Sequence, residues 1–194
     1  MEQLLQFDTR LFRLVNGNNA SWLDWPMWVL SQHASWAVVL VAVFLLVILR
    51  YDRRRWWLPV IAVILCFLFA DQISVHLFKD LFARPRPCHV LSDVNMFRTG
   101  CGGQYGFVSS HAANAFAIAV FLILRYTKRL KRSWVLSAVI LVWAMLICYS
   151  RVYLGKHYPG DVVCGALVGA VIGWLVWTVS ENIECRIEKK IAQK

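Results

Sequence analysis

The chain has 194 residues, 59% of them hydrophobic and only 16% charged. Soluble domains carry about 25% charged residues, so an ordinary soluble domain and a disordered chain are both excluded. The formal net charge is +10, and most of it sits in two places: residues 50–55 (RYDRRR) carry +3 and residues 125–132 (RYTKRLKR) carry +5. Two short basic loops between apolar runs are the positive-inside signal of a membrane protein. They are not the continuous basic face that nucleic acid requires, so no nucleic-acid partner is expected.

Residues 4–16 come first. Leu4, Leu5, Phe7, Leu11, Phe12, Leu14 and Val15 share one helical face, and Asp8, Arg10 and Arg13 take the other. The run is too short and too charged to span, and it reads as an amphipathic helix in the membrane interface. Asn16-Gly17-Asn18-Asn19 ends it. Trp22, Trp25 and Trp28 form an aromatic belt. The N-terminus lacks the basic-then-apolar order of a cleavable signal peptide. The first span covers about 26–49, with Pro26 in a first helical turn. Residues 26–33 form an interfacial prelude, and the crossing begins near Ala34. The second span, 56–82, is apolar to Ala70 and then carries Asp71, Gln72, Ser74, His76 and Lys79. Further spans are predicted at 110–124, 133–149 and 161–179. In the last, Gly165, Gly169 and Gly173 make a small-residue ridge for close packing inside the bundle.

The predicted fold is an all-α, polytopic transmembrane helical bundle of five to six spans with an N-terminal interfacial amphipathic helix. It forms one membrane-embedded domain: 1–25 interfacial, 26–179 bundle, 180–194 a cytoplasmic tail. If the basic loops are cytoplasmic, loop 83–109, turn 150–160 and the N-terminal helix all lie on the opposite side. Cys66, Cys148 and Cys164 fall inside apolar runs and read as small buried hydrophobes. Without a C-x-x-C pair no zinc site is expected. Cys88 and Cys101 share the one long outer loop, where an oxidising compartment would bridge them.

Three polar clusters border that outer side: 79–87, 108–111 and 150–161. Lys79, Arg86 and Arg151 supply three cations, and the two guanidinium groups suit bidentate contact with phosphate. Ser109 and Ser110 begin an Ala-rich helix whose first amides form an anion site. His157 and Asp161 are four residues apart. On a helix starting near His157 the carboxylate would hold one imidazole nitrogen and leave the other free to attack. His111 would protonate the leaving group. His33 and His76 read as interfacial anchors, and Asp71 as a partner within the bundle.

The pattern K-x6-R-P at 79–87, S-x-H at 109–111 and S-R-x5-H-x3-D at 150–161 resembles the three-part signature of the type 2 phosphatidic acid phosphatase (lipid phosphate phosphatase) superfamily. Two positions depart from it: Val108 stands for the usual Pro and Ser110 for the usual Gly. The resemblance implies a helical membrane bundle and metal-independent hydrolysis through a phosphohistidine, with no cofactor. It implies His157 as nucleophile, Asp161 as its orienter and His111 as general acid. Lys79, Arg86, Ser109, Arg151 and the Ser110 amide would bind phosphate. The expected substrate is a lipid phosphate or diphosphate at the outer face of the inner membrane, undecaprenyl diphosphate first. Lipid A follows, then phosphatidylglycerophosphate or phosphatidate. The non-enzymatic alternative is a transporter or proton relay using the same buried charges.

Overall fold

The computed structural model describes residues 2–98, 100–127 and 133–193. Residues 128–132 of the second basic loop lie outside them. The chain runs through α1 (Glu2–Asn16), α2 (Ser21–Leu30), α3 (His33–Tyr51), α4 (Trp57–Phe82), α5 (Ser110–Tyr126), α6 (Ser133–Tyr153) and α7 (Pro159–Ala192). Among the described residues there is no strand, only an isolated antiparallel bridge between Pro85 and Tyr105. Helices α3, α4, α6 and α7 are long and apolar enough to cross a membrane, and α5 is a shorter apolar helix. Val38, Leu46, Val139, Leu167 and Val171 are each more than half exposed. So much outward apolar surface is at home only against lipid.

Helix α5 is the axis. Ala112, Ala113, Ala115, Ala117 and Ala119 are buried with Ile118, Phe121 and Leu122. A helix buried on all sides is apolar all round, and its alanines let neighbours come close. Helices α4, α6 and α7 pack around it. The predicted glycine ridge does what its spacing implies. A Cβ on Gly165 would lie 2.6 Å from the Ser109 carbonyl oxygen, and Gly169 and Gly173 press on the Ala113 and Ala117 carbonyls.

Two boundaries differ from expectation. Pro26 lies inside the separate helix α2, not in the first turn of a span. The break falls at Ser31–Gln32, where the Trp36 indole donates to the Leu30 carbonyl at 3.1 Å, so the crossing begins at His33. At the other end, α7 does not stop near 179 but continues to Ala192 as one 34-residue helix. Residues 180–192 hold no Gly or Pro, and tertiary ion pairs support them. Arg55 reaches Glu188 at 3.0 Å and Glu184 at 3.6 Å. Buried Arg125 binds Asp52 at 2.9 Å, Glu184 at 3.0 Å and Glu181 at 3.1 Å. The described parts of both basic segments therefore meet at one end of the bundle, the end of α5 opposite Ser110.

Candidate active site

At that Ser110 end the three clusters converge on a cavity of about 190 Å³. Lys79, Arg86 and Arg151 line it, with Ser110, His111 and His157. Lys79 ends a π-helical stretch, Ile73–Lys79, within α4, and such widened turns recur at functional sites. Its Nζ donates to Ser110 Oγ at 2.8 Å, tying the first cluster to the second. Ser110 is the first residue of α5, so the glycine usual there is not needed for its conformation. Arg86 is carried on the loop after α4. Its Nε donates to the Tyr105 carbonyl at 3.2 Å and its amide to the Gln104 carbonyl at 3.1 Å. The Cys88–Cys101 disulfide closes this loop. Arg151 is buried on α6; it bonds to Ser31 Oγ, and its Nε has no hydrogen-bond partner among the described residues.

His157 is not on a helix. Tyr158 has extended geometry, Pro159 opens α7, and Asp161 sits in its first turn. The helical reading of the His157–Asp161 pair is corrected accordingly. Asp161 Oδ2 accepts the Tyr158 amide at 3.0 Å and lies 3.7 Å from His157 Nδ1. Nδ1 therefore faces the carboxylate, leaving Nε2 for the cavity. Asp161 is fully buried behind His157 rather than lining the cavity. Ser109 is also fully buried and does not line it. Its amide goes to the Asp161 carbonyl at 3.0 Å, and its hydroxyl has no hydrogen-bond partner among the described residues. His111, the second residue of α5, has its ring 5.0 Å from that of His33 in a tilted arrangement and meets Trp36 edge-on at 5.5 Å.

The electrostatics follow from burial and charge. Desolvation holds the His157 imidazole well below its ordinary pKa, and Arg86, Arg151 and Lys79 push the same way. The ring is therefore neutral near pH 7, which is what a nitrogen nucleophile needs. Burial also lowers Arg86, and Asp161 partly offsets this. Lys156, beside the site, is pushed down to about 8 by burial and then by Arg151 and Arg86. The arrangement can hold a tetrahedral anion between three cations and the start of α5, with an imidazole at hand for attack.

Sequence reasoning missed several groups. His33, read as an anchor, lines the cavity, as do Asp71 and Asn114. The buried Asn114 Oδ1 has no hydrogen-bond partner among the described residues. Gly106 comes so close to the pair that a Cβ there would lie 3.2 Å from Asp161 Oδ2 and 3.5 Å from His157 Nδ1. Arg84, inside the first cluster, donates to Asp161 Oδ1 at 2.7 Å. His76 stays exposed, 4.0 Å from Asp80.

Fold and site fit a membrane-embedded phosphatase. The sequence pattern of the PAP2 superfamily matches residues 60–185, and the chain belongs to that superfamily. It is 33% identical over 192 residues, 97% of this chain and 83% of the relative, to a lipid A 4′-phosphatase of Bacteroides thetaiotaomicron. It is 29% identical over 187 residues, 90% and 79% of the two chains, to an undecaprenyl-diphosphatase of Sulfolobus acidocaldarius. A crystal structure of a PAP2 type phosphatidylglycerolphosphate phosphatase from Bacillus subtilis has the same fold, with a TM-score of 0.75 over 94% of this chain and 89% of that one at 23% identity. The chain is a lipid phosphatase, and the transporter or proton-relay alternative gives way to it.

Proposed function

We propose that this enzyme removes a phosphate monoester from a saccharide lipid of the lipid A kind, with its site opening to the outer leaflet of the inner membrane. The observation that carries the reading is likeness to a lipid A 4′-phosphatase over nearly the whole chain, N-terminal helix included. This favours lipid A over undecaprenyl diphosphate. The cavity supports it: beyond the phosphate-binding cations its wall is His33, Asp71 and Asn114. Those groups exchange hydrogen bonds with hydroxyl and amide groups of a sugar, while the Asp71 carboxylate repels a second phosphate.

In this mechanism Lys79, Arg86 and Arg151, with Ser110 and the first amides of α5, bind the phosphoryl oxygens. Ser109 fixes the start of α5 through its bond to Asp161. His157 Nε2 attacks phosphorus, forming a P–N bond as the P–O bond to the sugar breaks. Asp161, facing Nδ1 from 3.7 Å, stabilises the positive ring. His111 gives its proton to the departing oxygen, then takes one from the water that hydrolyses the phosphohistidine. The three side-chain cations supply the charge stabilisation, so no metal or cofactor is required.

The test is phosphate release in detergent, without added metal, from lipid A, undecaprenyl diphosphate, phosphatidate and phosphatidylglycerophosphate. Lipid A is expected to give the highest kcat/KM. Faster turnover of undecaprenyl diphosphate would restore the alternative. The orientation rests on the basic residues at the far end of the bundle, and labelling of a cysteine at exposed Ser92 from the outer side tests it.

A further inference from the structure

The N-terminal helix touches the catalytic pair through a relay of side chains. Helix α1 buries Asp8, Phe12 and Asn16. These are spaced by four residues and form one stripe. Its apolar residues Leu4, Phe7 and Leu14 face away and are more than half exposed. The helix thus turns a carboxylate toward the protein. Burying a charge is costly unless it is paired and hydrogen-bonded, and Asp8 is both. Asp8 Oδ2 meets Arg84 Nη2 at 2.7 Å, and Oδ1 accepts the Gly160 amide at 2.8 Å. Arg84 extends its other nitrogen, Nη1, to Asp161 Oδ1 at 2.7 Å. Its guanidinium lies 4.2 Å over the Tyr158 ring, which Phe12 of α1 meets edge-on at 5.5 Å.

The rest of α1 is fastened so that this contact is held. Asn16 donates to the Tyr153 and Asn95 carbonyls, both at 2.8 Å, and accepts the Asn95 amide at 2.9 Å. Gly160 leaves the room for Asp8: a Cβ there would fall 2.8 Å from Asp8 Oδ2.

We propose that Asp8 is a positioning residue for catalysis, holding Arg84 so that Arg84 fixes the Asp161 carboxylate against His157. The inference rests on the reading of His157 as nucleophile. Arg84 is shared between two carboxylates. Without Asp8 it pairs with Asp161 alone, and its positive charge is no longer balanced by a second anion. Asp161 then stabilises the positive ring of the phosphohistidine step less well, and its rotamer loosens. The phosphate-binding groups Lys79, Arg86 and Arg151 are untouched. Asp8 therefore acts on turnover and not on binding, and α1 is part of the catalytic apparatus rather than a passive interfacial anchor.

The experiment uses the full chain in detergent micelles, with lipid A and phosphatidate as substrates and orthovanadate as a probe of phosphate binding. Asp8→Asn is expected to lower kcat about 10-fold, the low end of what loss of an orienting outer-shell partner costs at metal sites. KM and the vanadate inhibition constant are expected to stay within about twofold. Asp8→Glu recovers part of the loss, and Gly160→Ala, which displaces Asp8, reproduces it. The Asp8→Asn, Arg84→Gln double variant is no slower than Arg84→Gln alone, because both act through one chain. Arg13→Gln, on the same helix as Asp8, removes only the exposed pair with Asp93 of the outer loop and leaves kcat unchanged. Wild-type kcat in Asp8→Asn overturns the proposal, as does a loss of kcat matched by an equal loss of vanadate binding. If Asp8→Asn does not fold, Gly160→Ala and Arg84→Gln read the same split. Activity of His157→Gln would instead refute the reading of the site itself, whatever Asp8 does.

Discussion

The Ser109 amide donates to the Asp161 carbonyl oxygen at 3.0 Å. One backbone bond thus registers the start of α5 against the first turn of α7, and with it His111 against His157. The glycine ridge of α7 permits this bond, because it lets two helix backbones touch.

The ridge is expected to be graded in its effects. A Cβ at Gly165 would sit 2.6 Å from the Ser109 carbonyl and 3.3 Å from the Ser109 nitrogen, whereas Gly173 faces Ala117, two turns deeper. Alanine at either position forces backbone apart, and overpacking costs about 1–3 kcal/mol. Gly165→Ala is expected to lower both thermal stability and kcat, and Gly173→Ala stability with kcat per folded molecule preserved. Thermal unfolding in detergent beside initial rates distinguishes them. Equal kcat in the two variants would mean that the ridge does not register the site.

The Cys88–Cys101 disulfide closes a loop of 13-residue separation two residues after Arg86. Bridges of this size contribute about 3 kcal/mol. Cys88→Ser is expected to lower stability by that order and to raise KM more than it lowers kcat, because the proposed mechanism gives Arg86 a role in binding phosphate and none in the reaction. Mass mapping after alkylation without reduction checks the bridge. Full labelling of both thiols would remove the basis for the prediction.

The three clusters were legible because each is local: a cation, a serine or an imidazole at a fixed offset on a helix end. Their convergence was legible too, because basic loops on one side imply a shared opposite side. The position of His157 was available but misread. Pro159 suits the first turn of a helix, which puts His157 before α7 and Asp161 inside it. The Asp8–Arg84 pair was not legible, since 76 residues separate the partners. Amphipathicity shows that α1 has two faces and not which one meets the protein. His33 was hidden in the same way: alone it is an interfacial histidine, and only the turn at Ser31–Gln32 brings its ring to His111. The length of α7 escaped because its last turns are held by Arg55 and Arg125, both distant in sequence.

The pH profile follows from the buried imidazole. In the proposed mechanism His157 attacks as the neutral ring, and its pKa is held well below the ordinary imidazole value by burial and by Arg86, Arg151 and Lys79. The acid limb of kcat/KM due to this ring therefore lies well below pH 6.5. Arg86→Gln removes the foremost of those cations, so the His157 pKa rises and the limb moves to higher pH, apart from any fall in the plateau. On the alkaline side Lys156, at about 8, is charged below that pH and neutral above it. The attraction it exerts on an anionic substrate fades as pH passes 8, and Lys156→Met is expected to flatten that decline. An acid limb that Arg86→Gln leaves in place would show that His157 is not the titrating group.

His157 and His111 are expected to fail differently. His157→Gln removes the attacking nitrogen but keeps the cations, so vanadate still binds while no covalent phosphoenzyme forms and no lipid is turned over. His111→Ala keeps the nucleophile and removes the proton donor. For a poor leaving group such as a sugar alkoxide, loss of the general acid costs on the order of 10²–10⁴ in rate. A diphosphate departs as a phosphate monoester, which needs the proton less. His111→Ala is therefore expected to retain a larger share of wild-type activity on diphosphates than on monoesters. Asp161→Asn falls between the two histidine variants, because the ring remains but loses both its orientation and the negative charge that stabilises it. Orthovanadate, which adopts five-coordinate geometry, is expected to inhibit the wild type, and chelators are expected to leave it unaffected. Turnover by His157→Gln at the wild-type rate, or abolition by a chelator with rescue by a divalent metal, would refute the phosphohistidine route.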